Sequence, residues 1–157
     1  MRIGLGYDLH RLTEGRPLMI GCVLVPHTKG EEAHSDGDVL THALIDALLG
    51  AAGEGDIGTH FPPGDPAWKN ASGEKLLKLT AGVIARKGYA CRQVDSVVIL
   101  QEPKLQPYIS VMRNRLAELL DLSREDVTVK AKTKEGCGEV GSGNAVEAYA
   151  LVLLEKK

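Results

Sequence analysis

At 157 residues, with 43% hydrophobic but only 4% aromatic side chains and a formal charge of −2, the chain is sized for one domain with an aliphatic core. That charge excludes an electrostatic surface for nucleic acid or anionic membrane, which needs a strongly basic balance to release counterions. Cys22, Cys91 and Cys137 are too scattered for a CxxC zinc pair or a disulfide framework; no apolar run approaches 18 residues and no leader-like segment opens the chain, so a reducing cytoplasmic location is expected.

In chain order, residues 2–9 (RIGLGYDL) and 18–25 (LMIGCVLV) read as short strands separated by the turn residues TEGRP. The segment DVLTHALIDALLGAAGEG is the clearest helix: Val39, Leu40, Ala43, Ile45, Ala47, Leu48 and Ala51 give a broad apolar face, and Gly53 and Gly55 stop it. Residues 56–72, rich in Pro and Gly and without periodicity, read as a loop, and loops of that length are functional or mobile. A second helix fits 73–87, ended by Gly88. QVDSVVILQ reads as a strand, and Pro107 suits the first turn of a third helix carrying Ile109, Met112, Leu116, Leu119 and Leu120. SREDVTVKAKTKE begins as a turn and becomes a strand, with Lys130, Lys132 and Lys134 on one face. The glycine-rich residues 136–143 lead to a last strand, AVEAYALVLLE.

The order β-β-α-α-β-α-β-β implies an α/β two-layer sandwich: a mixed sheet of four or more strands with helices on one face, residues 1–157 forming a single domain. Residues 97–100 and 149–154 are apolar on both alternating faces, whereas three helices cover only one. Either a second copy of the chain or the molecule's own termini and loops must cover the other.

Three of the five histidines fall in two stretches, YDLHRL and AHSDGDVLTHAL. On a strand, Asp8 and His10 point the same way; on a helix, His42 and Asp46 share a face. Asp8, His10 and His42 are the composition of a three-ligand metal site with an open fourth position, and Asp46 would then orient His42. Spacing alone equally allows a solvated or capping Asp-x-His pair. Ser35 or Asp36 reads as a helix cap with Asp38 complementing the dipole, which leaves His34 without a structural reason. GCGEVG matches the pattern G-x-G-x-x-G, but no helix and no downstream acid follow, so it reads as a tight β-β turn rather than a dinucleotide site. KAKTKE suits either phosphates with a divalent cation or a solvated, lysine-guarded strand edge.

Taken in order, GLGYDLHRL, AHSDGDVLTHALIDALLGAAGEGDIGTHFP, QEPKLQPYI and VKAKTKEG closely resemble the 2-C-methyl-D-erythritol 2,4-cyclodiphosphate synthase family, nearly end to end. The resemblance implies a homotrimer whose sheets face the three-fold axis and whose active sites lie between subunits. It implies a CDP-linked methylerythritol substrate whose 2-phosphate attacks the β-phosphorus, closing a cyclic diphosphate and releasing CMP. It implies Zn²⁺ on Asp8, His10 and His42, and Mg²⁺ or Mn²⁺ on Glu135 with the substrate phosphates. His34, Ser35 and Thr133 would steady the phosphates, His34 and Thr133 as the catalytic pair. Asp56, Ile57 and Gly58 would grip the methylerythritol hydroxyls, and Phe61, Pro62, Pro63, Gly64 and Asp65 would close over them as a lid. Leu100, Gln101, Glu102, Pro103, Lys104, Leu105 and Gln106, with Lys132, Thr133, Lys134 and Glu135, would form the cytidine pocket. Glu139 and Ser142 stand where many members carry an aromatic residue and an Arg, which removes the basis for inferring an isoprenoid diphosphate ligand. The rival readings are a zinc-dependent phosphohydrolase and a non-catalytic trimeric metal- or nucleotide-binding module.

Overall fold

A computed structural model describes all 157 residues. A five-stranded sheet has the order β4-β1-β7-β5-β6, with β1 Arg2–Glu14, β4 Lys29–Glu31, β5 Tyr89–Ile99, β6 Val127–Lys132 and β7 Ala145–Lys156. All neighbours are antiparallel except β5 and β6, so the sheet is mixed, as expected. Helices α1 Val39–Ala52, α3 Gly73–Arg86 and α4 Ile109–Leu120 form the second layer, and α1 lies directly on β1 and β7. No helix is long and apolar enough to cross a membrane.

Several boundaries differ from the sequence-based expectation. The first strand runs on to Glu14, because β4 supplies a partner for Leu12 to Glu14 that local periodicity does not reveal. Residues 18–25 form a hairpin rather than one strand: β2 Leu18–Ile20 and β3 Val23–Val25 are joined at Gly21 and Cys22, both with φ near +60°. A left-handed Cys is unfavourable. It is held because Asp38 accepts the N–H groups of both turn residues, at 2.8 Å and 2.5 Å. Residues 56–72 are not a plain loop, since they contain a short helix, α2 Ile57–His60, and a 3₁₀ turn at Pro66–Trp68. The glycine-rich stretch holds a one-turn helix, α5 Gly138–Gly141, in place of a tight β-β turn.

The cap of α1 is Asp38, not Ser35 or Asp36; its Oδ1 accepts the Thr41 N–H at 3.0 Å while Oδ2 accepts the Thr41 hydroxyl at 2.7 Å. Fully buried Glu31 accepts from Val39 N–H at 3.1 Å and Met19 N–H at 3.3 Å, tying the hairpin and β4 to the start of the same helix. Burial pushes both carboxyls above their ordinary range, and the donated N–H groups oppose that shift.

The packing that positions the site comes from two glycines. Even-numbered residues of β1 face α1, and a Cβ at Gly4 or Gly6 would sit 1.9 Å from the carbonyl oxygen of Ala47 or Ala43. Strand and helix backbones therefore touch where every larger residue would hold them apart. The same alternation turns Ile3, Leu5, Tyr7 and Leu9 to the opposite face, where Ile3 is 70% and Leu5 68% exposed, beside Tyr149 and Leu151. The uncovered apolar face thus lies more on β1 than on residues 97–100, where Val97 and Ile99 are half-buried.

Candidate active site

Asp8 and His10 follow Gly4 and Gly6 on the helix-facing side of β1, and the close approach brings buried His42 of α1 to them. The Asp8 Oδ2 lies 3.0 Å from His10 Nε2 and 3.1 Å from His42 Nδ1, and all three ligand atoms fall within 4.8 Å of one another. Donors bonded at about 2.0–2.2 Å around a tetrahedral ion sit roughly 3.3 Å apart, so the group fits a cation with little rearrangement. The His10 Nδ1–H donates to the Gly37 carbonyl at 2.5 Å, which fixes the ring so that Nε2 faces Asp8. The Nε2 of His42 pairs with Ser35 Oγ at 3.1 Å.

The electrostatics agree with a site built for positive charge. Burial acts to raise the Asp8 pKa, but hydrogen bonds from His10 and His42 outweigh it and hold the carboxyl well below its usual range. Burial likewise acts to lower that of His10, and Asp8 overrides it to raise the value. Asp8 therefore favours positive charge between itself and the His10 ring, the condition a bound cation would meet.

Asp46 departs from its expected role. It makes no hydrogen bond to His42; its Oδ1 instead accepts the Ile57 N–H at 2.7 Å, because Asp8, Gly37 and Ser35 already occupy the two imidazoles.

A cavity of about 310 Å³ opens onto the triad, and besides Asp8, His10 and His42 it is lined by His34, Ser35, Ile57, Gly58, Phe61 and Pro63. It also takes in Glu32, Ala33, Trp68 and Leu76, none of which the sequence pattern marks as a site residue. Only Trp68 carries a usable signal, as the single Trp of the chain within a proline-rich segment. Asp56 is fully exposed, capping α2 through Thr59 N–H at 2.8 Å, and like the exposed Pro62, Gly64 and Asp65 it does not line the cavity.

The segment expected to move as a weakly packed lid is pinned at both ends. Phe61 is buried against Trp68 with ring centroids 4.9 Å apart, and Asn70 N–H and Asp36 N–H pair with the carbonyls of His34 and Ala71. Only residues 62–69 project. We expect amide exchange over 64–69 to slow, and Trp68 emission to shift, when a ligand fills the cavity. Exchange and emission both unchanged by ligand would make this segment a fixed wall.

A second cavity, of about 160 Å³, is lined by Leu100, Gln101, Pro103, Lys104, Leu105 and Gln106 with Ala131, Lys132 and Thr133. Glu102 is exposed and outside it. Thr133 donates to the Glu135 carboxylate; Glu135 is exposed with φ +52°. Lys134 turns away to pair with Glu147 at 3.2 Å. The two cavities share no residue. Registers through β7 and β5 place Leu9, Ile99 and Lys132 at one level of the sheet, so β1 and β6 are separated there by three strand spacings, about 14 Å. Within one chain, Glu135 and Thr133 therefore do not join the triad.

Burial pushes the Cys22 and Cys91 thiols up, the latter to about 11, so neither supplies a thiolate nucleophile.

The profile of the YgbB family matches residues 1–155. A relative from Pelotomaculum thermopropionicum, a 2-C-methyl-D-erythritol 2,4-cyclodiphosphate synthase, is 51% identical over 156 residues, covering 99% of this chain and 96% of its own. A solved 2C-methyl-D-erythritol-2,4-cyclodiphosphate synthase in a CDP-bound form superposes with a TM-score of 0.91 at 41% identity, over 98% of this chain and 100% of the other. The bifunctional IspDF from Campylobacter jejuni superposes at TM-score 0.95 and 39% identity; this chain, 99% covered, spans 42% of that longer one.

Proposed function

The chain belongs to the YgbB family, and from that premise we propose that it converts 4-diphosphocytidyl-2-C-methyl-D-erythritol 2-phosphate to 2-C-methyl-D-erythritol 2,4-cyclodiphosphate with release of CMP, in isoprenoid precursor synthesis. The single observation that carries the reading is the convergence of Asp8, His10 and His42 at the floor of a cavity bounded by residues 57–63.

Attacking and attacked phosphates are both anionic, so charge repulsion dominates the barrier. Asp8, His10 and His42 would hold Zn²⁺, and Glu135 would hold Mg²⁺ or Mn²⁺; the two ions, when bound, neutralise phosphate oxygens and template an in-line displacement. The remaining work belongs to side chains. His34 and Ser35 stand at the cavity as donors to phosphate oxygens, and the Thr133 hydroxyl supplies another at the end of β6. Asp56 to Gly58 orient the methylerythritol, and Phe61 and Pro63 exclude water that would compete with the 2-phosphate. The second cavity takes the cytidine, with Lys104 and Lys132 at its wall. No protein nucleophile is required.

A diphosphate is far shorter than the roughly 14 Å between β1 and β6 of one sheet, so the triad must meet the Thr133 and Glu135 of a neighbouring copy. The exposed Ile3, Leu5, Tyr7 and Leu9 supply the surface, since burying apolar area is favourable at about 25 cal/mol per Å². A homotrimer with the sheets turned inward buries them. Sedimentation should give the mass of three chains at micromolar concentration, and Leu5→Asp should shift it to one chain with loss of CMP formation. A wild-type monomer that turns over would sink the shared site.

The decisive test is incubation of the protein with the substrate, zinc and magnesium, followed by chromatography. CMP and the cyclic diphosphate are expected. Inorganic phosphate in their place would establish the phosphohydrolase reading, and no product would leave a binding module.

A further inference from the structure

We infer that Asp46 is a positioning residue: its carboxylate ties the turn that holds the methylerythritol to the helix that carries the metal ligand His42. The inference rests on the proposed reaction and adds a residue to it. Asp46 stands one helical turn beyond His42 on α1, half-buried, and its Oδ1 accepts the N–H of Ile57 at 2.7 Å. Ile57 is the first residue of α2, whose N–H has no carbonyl partner within the helix. Asp56 does not supply that partner, because its own Oδ1 is engaged by the N–H and hydroxyl of Thr59 at 2.8 Å and 2.7 Å. The two acids thus divide the turn between them, with Asp56 shaping it and Asp46 anchoring it.

The anchoring runs against the local electrostatics and calls for a reason. Burial raises the Asp46 pKa and the nearby charges of Asp56 and Asp8 add to it, against the Ile57 hydrogen bond and the His42 ring, which oppose it. A tether matters here because the methylerythritol half of the substrate bears the attacking 2-phosphate. The distance from residues 56–58 to the triad sets where that phosphate stands relative to the β-phosphorus, and small displacements from in-line geometry slow the reaction.

The test uses the full-length protein with Asp46→Ala and Asp46→Asn. Ala removes the acceptor, while Asn keeps an oxygen at the same place without the charge. For Ala, kcat should fall about tenfold, the scale of one lost hydrogen bond to a charged acceptor, and the Ile57 amide should exchange faster. Bound zinc and affinity for CDP, which lacks the methylerythritol, should be unchanged. Asn should restore kcat to within about threefold of wild type and slow Ile57 exchange again. The inference is overturned if Ala turns over as wild type, if Asn is as impaired as Ala, or if Ala loses zinc or CDP. Should the wild type itself release no CMP, the proposed reaction fails, while Ile57 exchange in the two variants still decides whether Asp46 holds the turn.

Discussion

His42→Ala should lose most of its bound metal and slow CMP release by roughly 10³-fold or more, a loss of several kcal/mol of Lewis-acid stabilisation. The wild type should carry about one Zn²⁺ per chain, held by the expected three ligands of an open zinc site. His42 is 7% exposed and faces Asp8 at 3.1 Å, so its imidazole sits within the ligand group rather than in bulk solvent. Alanine is the best helix former, and position 42 lies inside α1, so the helix should persist with its Asp38 cap. Two ligands would remain, His10 and Asp8, and two donors hold a divalent ion far less tightly than three. Elemental analysis of the purified variant, alongside a circular dichroism melt to establish that it is folded, provides the check. A folded variant that retains a full complement of zinc would show that the ligand set is wrong, whatever its activity.

The second large effect is expected at Glu135. Glu135→Gln keeps the size of the side chain, and its amide oxygen still accepts the Thr133 hydroxyl, so the loop after β6 should be undisturbed. Glu135 occupies left-handed backbone at φ +52°, a conformation no more strained for Gln than for Glu. Only the negative charge is removed. Turnover should fall by roughly 10²-fold or more, the scale of losing one electrostatic stabiliser, while zinc content stays at the wild-type level. Raising magnesium should recover part of the loss, because a weakened site fills at higher concentration. Turnover at limiting magnesium equal to that of the wild type would refute the role. A simultaneous loss of zinc would show instead that Glu135 belongs to the triad's own support.

The two variants test the triad and Glu135 separately, and the distance between them marks where local sequence stops being informative. The types of residue that carry chemistry are legible. Asp8 and His10 two apart on a strand, and His42 in a strongly apolar helix, have the donor composition of a metal group. Spacing alone leaves a solvated or capping pair open, and the resemblance to a known family is what selects the metal reading. Their meeting is not legible from spacing, although its cause is written in the chain as Gly4 and Gly6 on β1 against Ala43 and Ala47 on α1. Small residues two apart on a strand and four apart on a helix are a signal of close backbone approach only when both are known to face each other. Asp46 is misplaced by the sequence pattern for a related reason. Its position on the helix face of His42 suggests an imidazole partner, but Asp8 and Ser35 already take the two His42 nitrogens, and the chain returns Ile57 to it from eleven residues away.

Sequence by itself determined the alternation of strands and helices, the long α1 and its glycine stop, the aliphatic core and the set of side chains able to bind a cation, because each follows from local periodicity and the chemistry of single residues. Tertiary structure alone decided the hairpin at Gly21 and Cys22, the pairing of β4 with β1, the pinned ends of residues 61–71 and the placing of Glu135 three strands from the triad. Those features depend on partners distant in sequence. A buried carboxylate such as Asp38 can hold a left-handed Cys, and a strand order can set the ends of β1 and β6 about 14 Å apart, only after the whole chain has closed around them.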